Sequence, residues 1–113
     1  MMPKALGSAS IRPVVLSVLA RQDSYGYELI QYARELSQGS LDLQPGVLYP
    51  ILRKLEKDGL IKSYWQQGEG ERRRRYYSLT KKGSKALAVE KREWLRMHDA
   101  LTRLWSREPL LAG

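Results

Sequence analysis

Residues 44–61, QPGVLYPILRKLEKDGLI, carry a helix with its own start and stop signals and an apolar run directly behind it. Leu48, Ile51, Leu52 and Leu55 recur at the i, i+3, i+4, i+7 spacing that lines one helical face, so that face belongs in a core. Tyr49, Arg53, Lys54 and Lys57 point away from it, three cations and a phenol on the outer side. Such a face is either an ordinary solvated surface or one matched to a phosphate-lined groove. Gly59 stands where a left-handed C-cap is wanted, and Leu60 and Ile61 resume the apolar pattern at once, so the chain turns sharply. Pro50 conflicts with a helix interior, where the missing bond and ring clash cost about 3 kcal/mol. A regular helix starting near Gly46 or Val47 avoids that conflict. It also presents Tyr49 and Pro50 at the N-terminal end, where groove-reading residues sit.

Behind this helix, residues 61–66 (IKSYWQ) and 73–80 (RRRYYSLT) are rich in β-formers and flank a glycine-containing link, which predicts a hairpin. Strand alternation sends Arg73, Arg75, Tyr77 and Leu79 to one side and Arg72, Arg74, Tyr76 and Ser78 to the other. Four adjacent arginines repel one another unless something anionic neutralises them. Edge-strand protection is the plain alternative, but one or two charges suffice for that. Residues 53–85 hold eleven Lys/Arg against four acids, a surplus of +7 within a chain of net charge +8. The basic surplus is therefore local, and it points to a polyanion.

Ahead of the central helix, Ser10 is placed to cap a helix over 10–22 with Ile11, Val14, Val15, Val18 and Leu19 buried. Asp23-Ser24 supplies the next cap, for a helix over 25–37 burying Leu29, Ile30, Ala33 and Leu36. Gly26 in its first turn suggests a close backbone approach. Residues 1–9 have no periodic pattern and read as a flexible arm. After the hairpin, Thr80 is a good N-cap for a helix over 81–105, roughly 37 Å long and too long for so small a core to cover. Leu87, Trp94 and Leu101 recur at seven residues, with Met97 and Leu104 at the three-residue offsets and His98 and Trp105 flanking. This is a short coiled-coil-like seam that asks for a second chain. Residues 106–113 form a tail.

The expected fold is mainly α with a small β-hairpin: a winged helix-turn-helix over 10–80 plus a long C-terminal dimerisation helix. In that arrangement the third helix enters the major groove and the wing reaches the adjacent backbone. The expected DNA-binding set is Tyr49, Pro50, Arg53, Lys54, Lys57, Arg72, Arg73, Arg74 and Arg75. The expected dimerisation set is Leu87, Trp94, Met97, Leu101 and Leu104. With no cysteine, one histidine and no paired carboxylates in an apolar pattern, no catalytic set, metal site or cofactor is implied. The chain has no run approaching eighteen apolar residues and no apolar N-terminal region, so the expected place is the cytoplasm, with no membrane partner.

Three stretches also resemble the PadR-type transcriptional regulators: Tyr25-Gly-Tyr-Glu-Leu; Gly46-Val-Leu-Tyr-Pro-Ile-Leu-Arg-Lys-Leu-Glu-Lys-Asp-Gly-Leu-Ile; and Arg74-Arg-Tyr-Tyr-Ser-Leu-Thr-Lys-Lys-Gly. The resemblance covers about residues 11–105. A single C-terminal helix is similar to the small subgroup, which dimerises through that helix and represses promoters, some members releasing DNA when flat drugs bind between the subunits. The resemblance implies a homodimer on double-stranded DNA with a palindromic operator. It also implies a planar small-molecule effector stacked on Trp94, with His98 one turn on where relatives can carry an acid. Bulky dimer packing is the other role open to Trp94. Val47 departs from the pattern, which usually has Thr there, so a hydroxyl for capping or phosphate is missing. The rival function is a winged-helix interaction or RNA-binding module without operator-specific DNA recognition.

Overall fold

The computed structural model describes residues 7–68, 70 and 72–106. Residues 1–6 of the expected arm, residues 107–113 of the tail, and Glu69 and Glu71 lie outside the described residues. The element order is α1 (Gly7–Arg21), β1 (Ser24–Tyr25), α2 (Gly26–Leu36), α3 (Pro45–Lys57), β2 (Ile61–Gln67), β3 (Arg73–Leu79) and α4 (Lys81–Ser106). The strands form one antiparallel sheet in the order β1-β3-β2. Mainly helical, with a hairpin wing and a long C-terminal helix, this is the architecture the sequence predicted.

α1 lies at the centre and packs against α2, α3, α4 and β3. That centrality explains why Leu16, absent from the expected stripe, is fully buried, while Val14 is only half-buried. α1 begins at Gly7, so Ser10 lies inside the helix rather than at its cap, and Pro13 sits in the second turn. Leu29 and Ala33 of α2 enter the core, but Leu36 is exposed because nothing among the described residues covers that end of the helix. Ser24 does not cap α2. It belongs to β1, is fully buried, and donates its hydroxyl hydrogen to the Gln22 carbonyl. The α2 start is served instead by Glu28, whose carboxylate accepts from the Tyr25 N–H at 3.3 Å.

α3 starts at Pro45, earlier than expected, with Gln44 as N-cap, so Pro50 is inside the helix. A proline at the first position costs nothing, because that N–H has no helical partner anyway. Pro50 withdraws the donor that the Gly46 carbonyl needs, and it does so on an exposed turn where water can serve that oxygen. Leu48, Leu52 and Leu55 are buried as their spacing requires. At the far end Gly59 has φ 78°. The Leu60 N–H bonds to the Leu55 carbonyl at 3.0 Å and the Gly59 N–H to the Glu56 carbonyl at 3.0 Å, the paired bonds of a Schellman stop.

The same corner starts α4. Thr80 Oγ1 accepts from the Gly83 N–H at 3.0 Å and lies 2.7 Å from the Gly59 carbonyl and 2.9 Å from the Leu60 carbonyl, to one of which it donates. Lys82 Nζ donates to the Asp58 carbonyl at 3.0 Å, placing a cation on the C-terminus of α3. Gly83 is buried so tightly that a Cβ there would collide with the Leu60 carbonyl oxygen and Leu79. Ala86 and Leu87 then pack on the core, and Glu90 pairs with Arg12 at 3.1 Å. From Lys91 to Asp99 every residue of α4 is exposed. At 1.5 Å per residue its 26 residues span about 39 Å, which helps give the molecule a long axis of 69 Å. Among the described residues no helix is long and apolar enough to cross a membrane.

Gly83→Ala tests this corner. Helix propensity alone favours alanine by about 1 kcal/mol. The collision with backbone reverses the sign, and a net destabilisation of about 1–3 kcal/mol is expected, read as a lower Tm. A melting temperature at or above that of the wild type refutes the close packing.

Candidate nucleic-acid interface

The outer face of α3 carries Gly46, Pro50, Arg53 and Lys57 along one stripe, with Tyr49 and Lys54 to either side, and all of them are exposed. Val47, also exposed, completes the arc. Of the cations here, Lys54 pairs with Asp58 at 3.5 Å across one turn, a solvent-exposed contact of small energetic weight. Tyr49 is not wholly free. Its ring reaches α2, and a Cβ at Gly26 would overlap its hydroxyl, which accounts for the glycine at that place.

The wing stands beside this helix. Its register pairs Ser63 with Tyr77, Trp65 with Arg75 and Gln67 with Arg73, so these six share one face of the sheet. Tyr64, Gln66, Arg74 and Tyr76 share the other, with Tyr25 of β1 next to Tyr76. On that second face Tyr64 stacks on Tyr76 at 5.7 Å, and Tyr25 meets Tyr76 edge-on at 5.3 Å. Tyr64 donates to Asp23 at 2.6 Å, and this hydrogen bond to the carboxylate, with burial and the negative charge behind it, pushes the phenol up to about 12. On the first face Tyr77 is buried beneath α3. Burial raises its pKa, opposed by the nearby Arg75 and Arg53 and reinforced by Glu56 and Tyr49.

The four arginines therefore divide. Arg72 and Arg73 are exposed and pair with no carboxylate among the described residues. The Arg73 guanidinium lies 5.2 Å from the Trp65 ring centre. Arg74 is half-buried, folded back over Tyr25 with its guanidinium 4.6 Å from the ring and Nη1 donating to the Tyr25 hydroxyl at 3.0 Å. Arg75 turns towards α3. Its Nε and Nη2 donate to Ser63 Oγ at 3.0 and 2.8 Å, and Nη2 is 3.4 Å from Glu56. The sequence pattern places all four at the tip because alternation reveals the face of a strand and not the partner waiting there.

On α4, Trp94, Met97 and Leu104 are exposed and Leu101 is half-exposed, while Leu87 serves this chain's own core. Leu95, which the heptad spacing missed, is 56% exposed beside them. An open groove of about 650 Å³ runs between α1, α2 and α4 and is lined by Val14, Leu36, Leu87, Trp94 and Leu95, with Arg21 and Lys91 among its lining cations. Trp94 thus lines a cavity. His98 is not part of this groove's lining: it is exposed on the helix surface with Asp99 at 3.7 Å.

The profile of the Transcriptional regulator PadR-like family matches residues 15–89. The chain is 37% identical over 91 residues to Transcriptional regulator YqjI of Escherichia coli (strain K12), covering 80% of this chain and 42% of that relative. It thus spans less than half of that relative's length. It is 38% identical over 84 residues to Transcriptional regulator Rv3488 of Mycobacterium tuberculosis (strain ATCC 25618 / H37Rv), covering 74% of this chain and 75% of the relative. The crystal structure of a PadR family transcription regulator from Clostridium difficile R20291 superposes with a TM-score of 0.75 at 34% identity, over 85% of this chain and 98% of the other. With its winged-helix geometry and two thirds of its length inside the family profile, the chain belongs to the PadR-like family of transcriptional regulators.

Proposed function

We propose that this regulator is a repressor that binds a palindromic operator as a two-fold homodimer. The observation that carries the reading is the juxtaposition of two cationic surfaces, the outer face of α3 and the wing with Arg72 and Arg73, beside an aliphatic and aromatic face on α4 that the described residues leave uncovered. In this reading Tyr49, Pro50, Arg53, Lys54 and Lys57 lie in the major groove, and the wing holds the flanking backbone. Repression follows when the operator overlaps a promoter. Selection from a random duplex pool tests it, since a palindrome of defined half-site spacing reports sequence reading and two-fold symmetry together. Recovery of no preferred sequence, or tighter binding to structured RNA than to duplex, favours an RNA or interaction module instead.

On the selected duplex, Arg72→Ala with Arg73→Ala is expected to weaken specific and random sequences alike. It should flatten the dependence of log K on log salt by about 0.9 for each phosphate that is no longer neutralised. An unchanged slope removes the wing from the backbone.

The homodimer rests on α4, where Trp94, Leu95, Met97, Leu101 and Leu104 need cover, with α1 beside them. Leu101→Asp combined with Leu104→Asp is expected to give a monomer in sedimentation. A monomeric wild type at micromolar concentration refutes the arrangement.

A planar effector is a second reading, favoured by Trp94 lining the groove. Arg21 and Lys91 line it too, and no carboxylate does among the described residues, so a flat anion suits it better than a flat cation. Matched probes, 2-naphthoate and 2-naphthylmethylammonium, should separate in affinity in favour of the acid, and Trp94→Ala should abolish the quench of tryptophan emission. A dimeric Trp94→Ala variant that binds the acid equally well assigns Trp94 to packing.

A further inference from the structure

Arg75 belongs by sequence to the run of cations read as phosphate ligands, yet the Nε and Nη2 side of its guanidinium is already engaged. Nε–H and Nη2–H converge on Ser63 Oγ at 3.0 and 2.8 Å, and Nη2 also faces Glu56 Oε1 at 3.4 Å. Ser63 passes its own hydrogen to the other oxygen of the same carboxylate, Glu56 Oε2, at 2.6 Å. The three side chains close a ring that spans β3, β2 and α3. The Nε–Nη2 edge, the one suited to a two-pronged grip on phosphate, is occupied, and a carboxylate neighbours the positive charge, so the attraction left for a phosphate is reduced to what Nη1 can offer.

The ring has a mechanical consequence. Gln67 lies four residue steps beyond Ser63, so the end of β2 lies about 13 Å beyond the ring, and a tilt of roughly 10° at the base displaces it by about 2 Å. A shift of that size breaks a hydrogen bond to phosphate, whose useful range is a few tenths of an ångström. As an energy source the partly exposed Arg75–Glu56 pair is weak, with side chains 46% and 33% exposed. As an orienting device it is well built, because the guanidinium fork fixes direction as well as distance.

We propose that Arg75 is a positioning residue rather than a phosphate ligand. Through Ser63 and Glu56 it fixes the wing against α3, so that Arg72 and Arg73 reach the backbone in register with the outer face of that helix. The proposal rests on the duplex-binding reading above, and the two fail differently.

The experiment measures affinity for the selected operator by fluorescence anisotropy across a salt series, with thermal melts as a folding control. Arg75→Lys keeps the charge and removes the fork. Positioning predicts a three- to tenfold fall in affinity, matched by Ser63→Ala, which removes no charge at all. It also predicts that both effects vanish when Arg72 and Arg73 are already alanine, since nothing then remains for the wing to place. A phosphate ligand gives the opposite pattern: Arg75→Lys close to wild type, Ser63→Ala neutral or tighter because the arginine is released, and Arg75→Ala costly whatever the state of Arg72 and Arg73. That pattern overturns the proposal. So does a weakening that persists in the Arg72→Ala/Arg73→Ala background. A wild type that binds no duplex specifically overturns the underlying reading instead.

Discussion

The corner where α3 ends and α4 begins is the junction that the rest of the molecule depends on. Four groups meet there: Gly59 in its left-handed turn, the Leu60 carbonyl, Thr80 Oγ1 and the side-chain-free flank of Gly83. The Schellman stop aims the chain into β2. The Thr80 N–H, bonded to the Leu60 carbonyl at 3.1 Å, closes the base of the hairpin, and the Thr80 side chain starts the next helix from the same point. One knot of backbone polar groups thus fixes three directions at once: the axis of α3, the rise of the wing and the departure of α4. Buried backbone groups must be paired, so this corner cannot loosen piecemeal. The surface offered to a partner inherits its geometry from there.

Most of that corner is legible in the sequence because its signals are local. Gly59, Thr80 and the spacing of Leu48, Leu52 and Leu55 each act within one turn or one cap, and each can be read from its neighbours. What stays hidden depends on residues far apart in the chain. Ser24 has the chemistry of an N-cap, yet it is drawn into a two-residue strand by Tyr77, fifty-three positions away in sequence, opposite it in the sheet. Leu36 has the spacing of a core residue and no core to enter, because its side of α2 opens into the groove that Trp94 and Leu95 of α4 also line. Arg74 and Arg75 look like two more surface cations until Tyr25 and Glu56 are brought beside them by folding. Periodicity identifies a face, and only tertiary structure supplies what lies against it.

The same distinction explains how a short wing can carry four consecutive arginines. If all four pointed outwards, their mutual repulsion would favour fraying of the hairpin in the absence of an anion. Alternation splits them between two faces, and on each face the arginine nearer the base is bound inwards, Arg75 by Glu56 and Ser63 and Arg74 by the ring and hydroxyl of Tyr25. Two charges are thereby turned into attachments that stiffen the ribbon, and the two at the outer end keep their attraction for an anion. The +7 surplus of residues 53–85 overstates what a polyanion would meet and understates how firmly the part it meets is held. Net charge measures the long-range attraction that this face would exert on a polyanion. On the proposed reading, the inward pairs would set whether the remaining cations meet the phosphates in a fixed order, which is what turns attraction into registered binding.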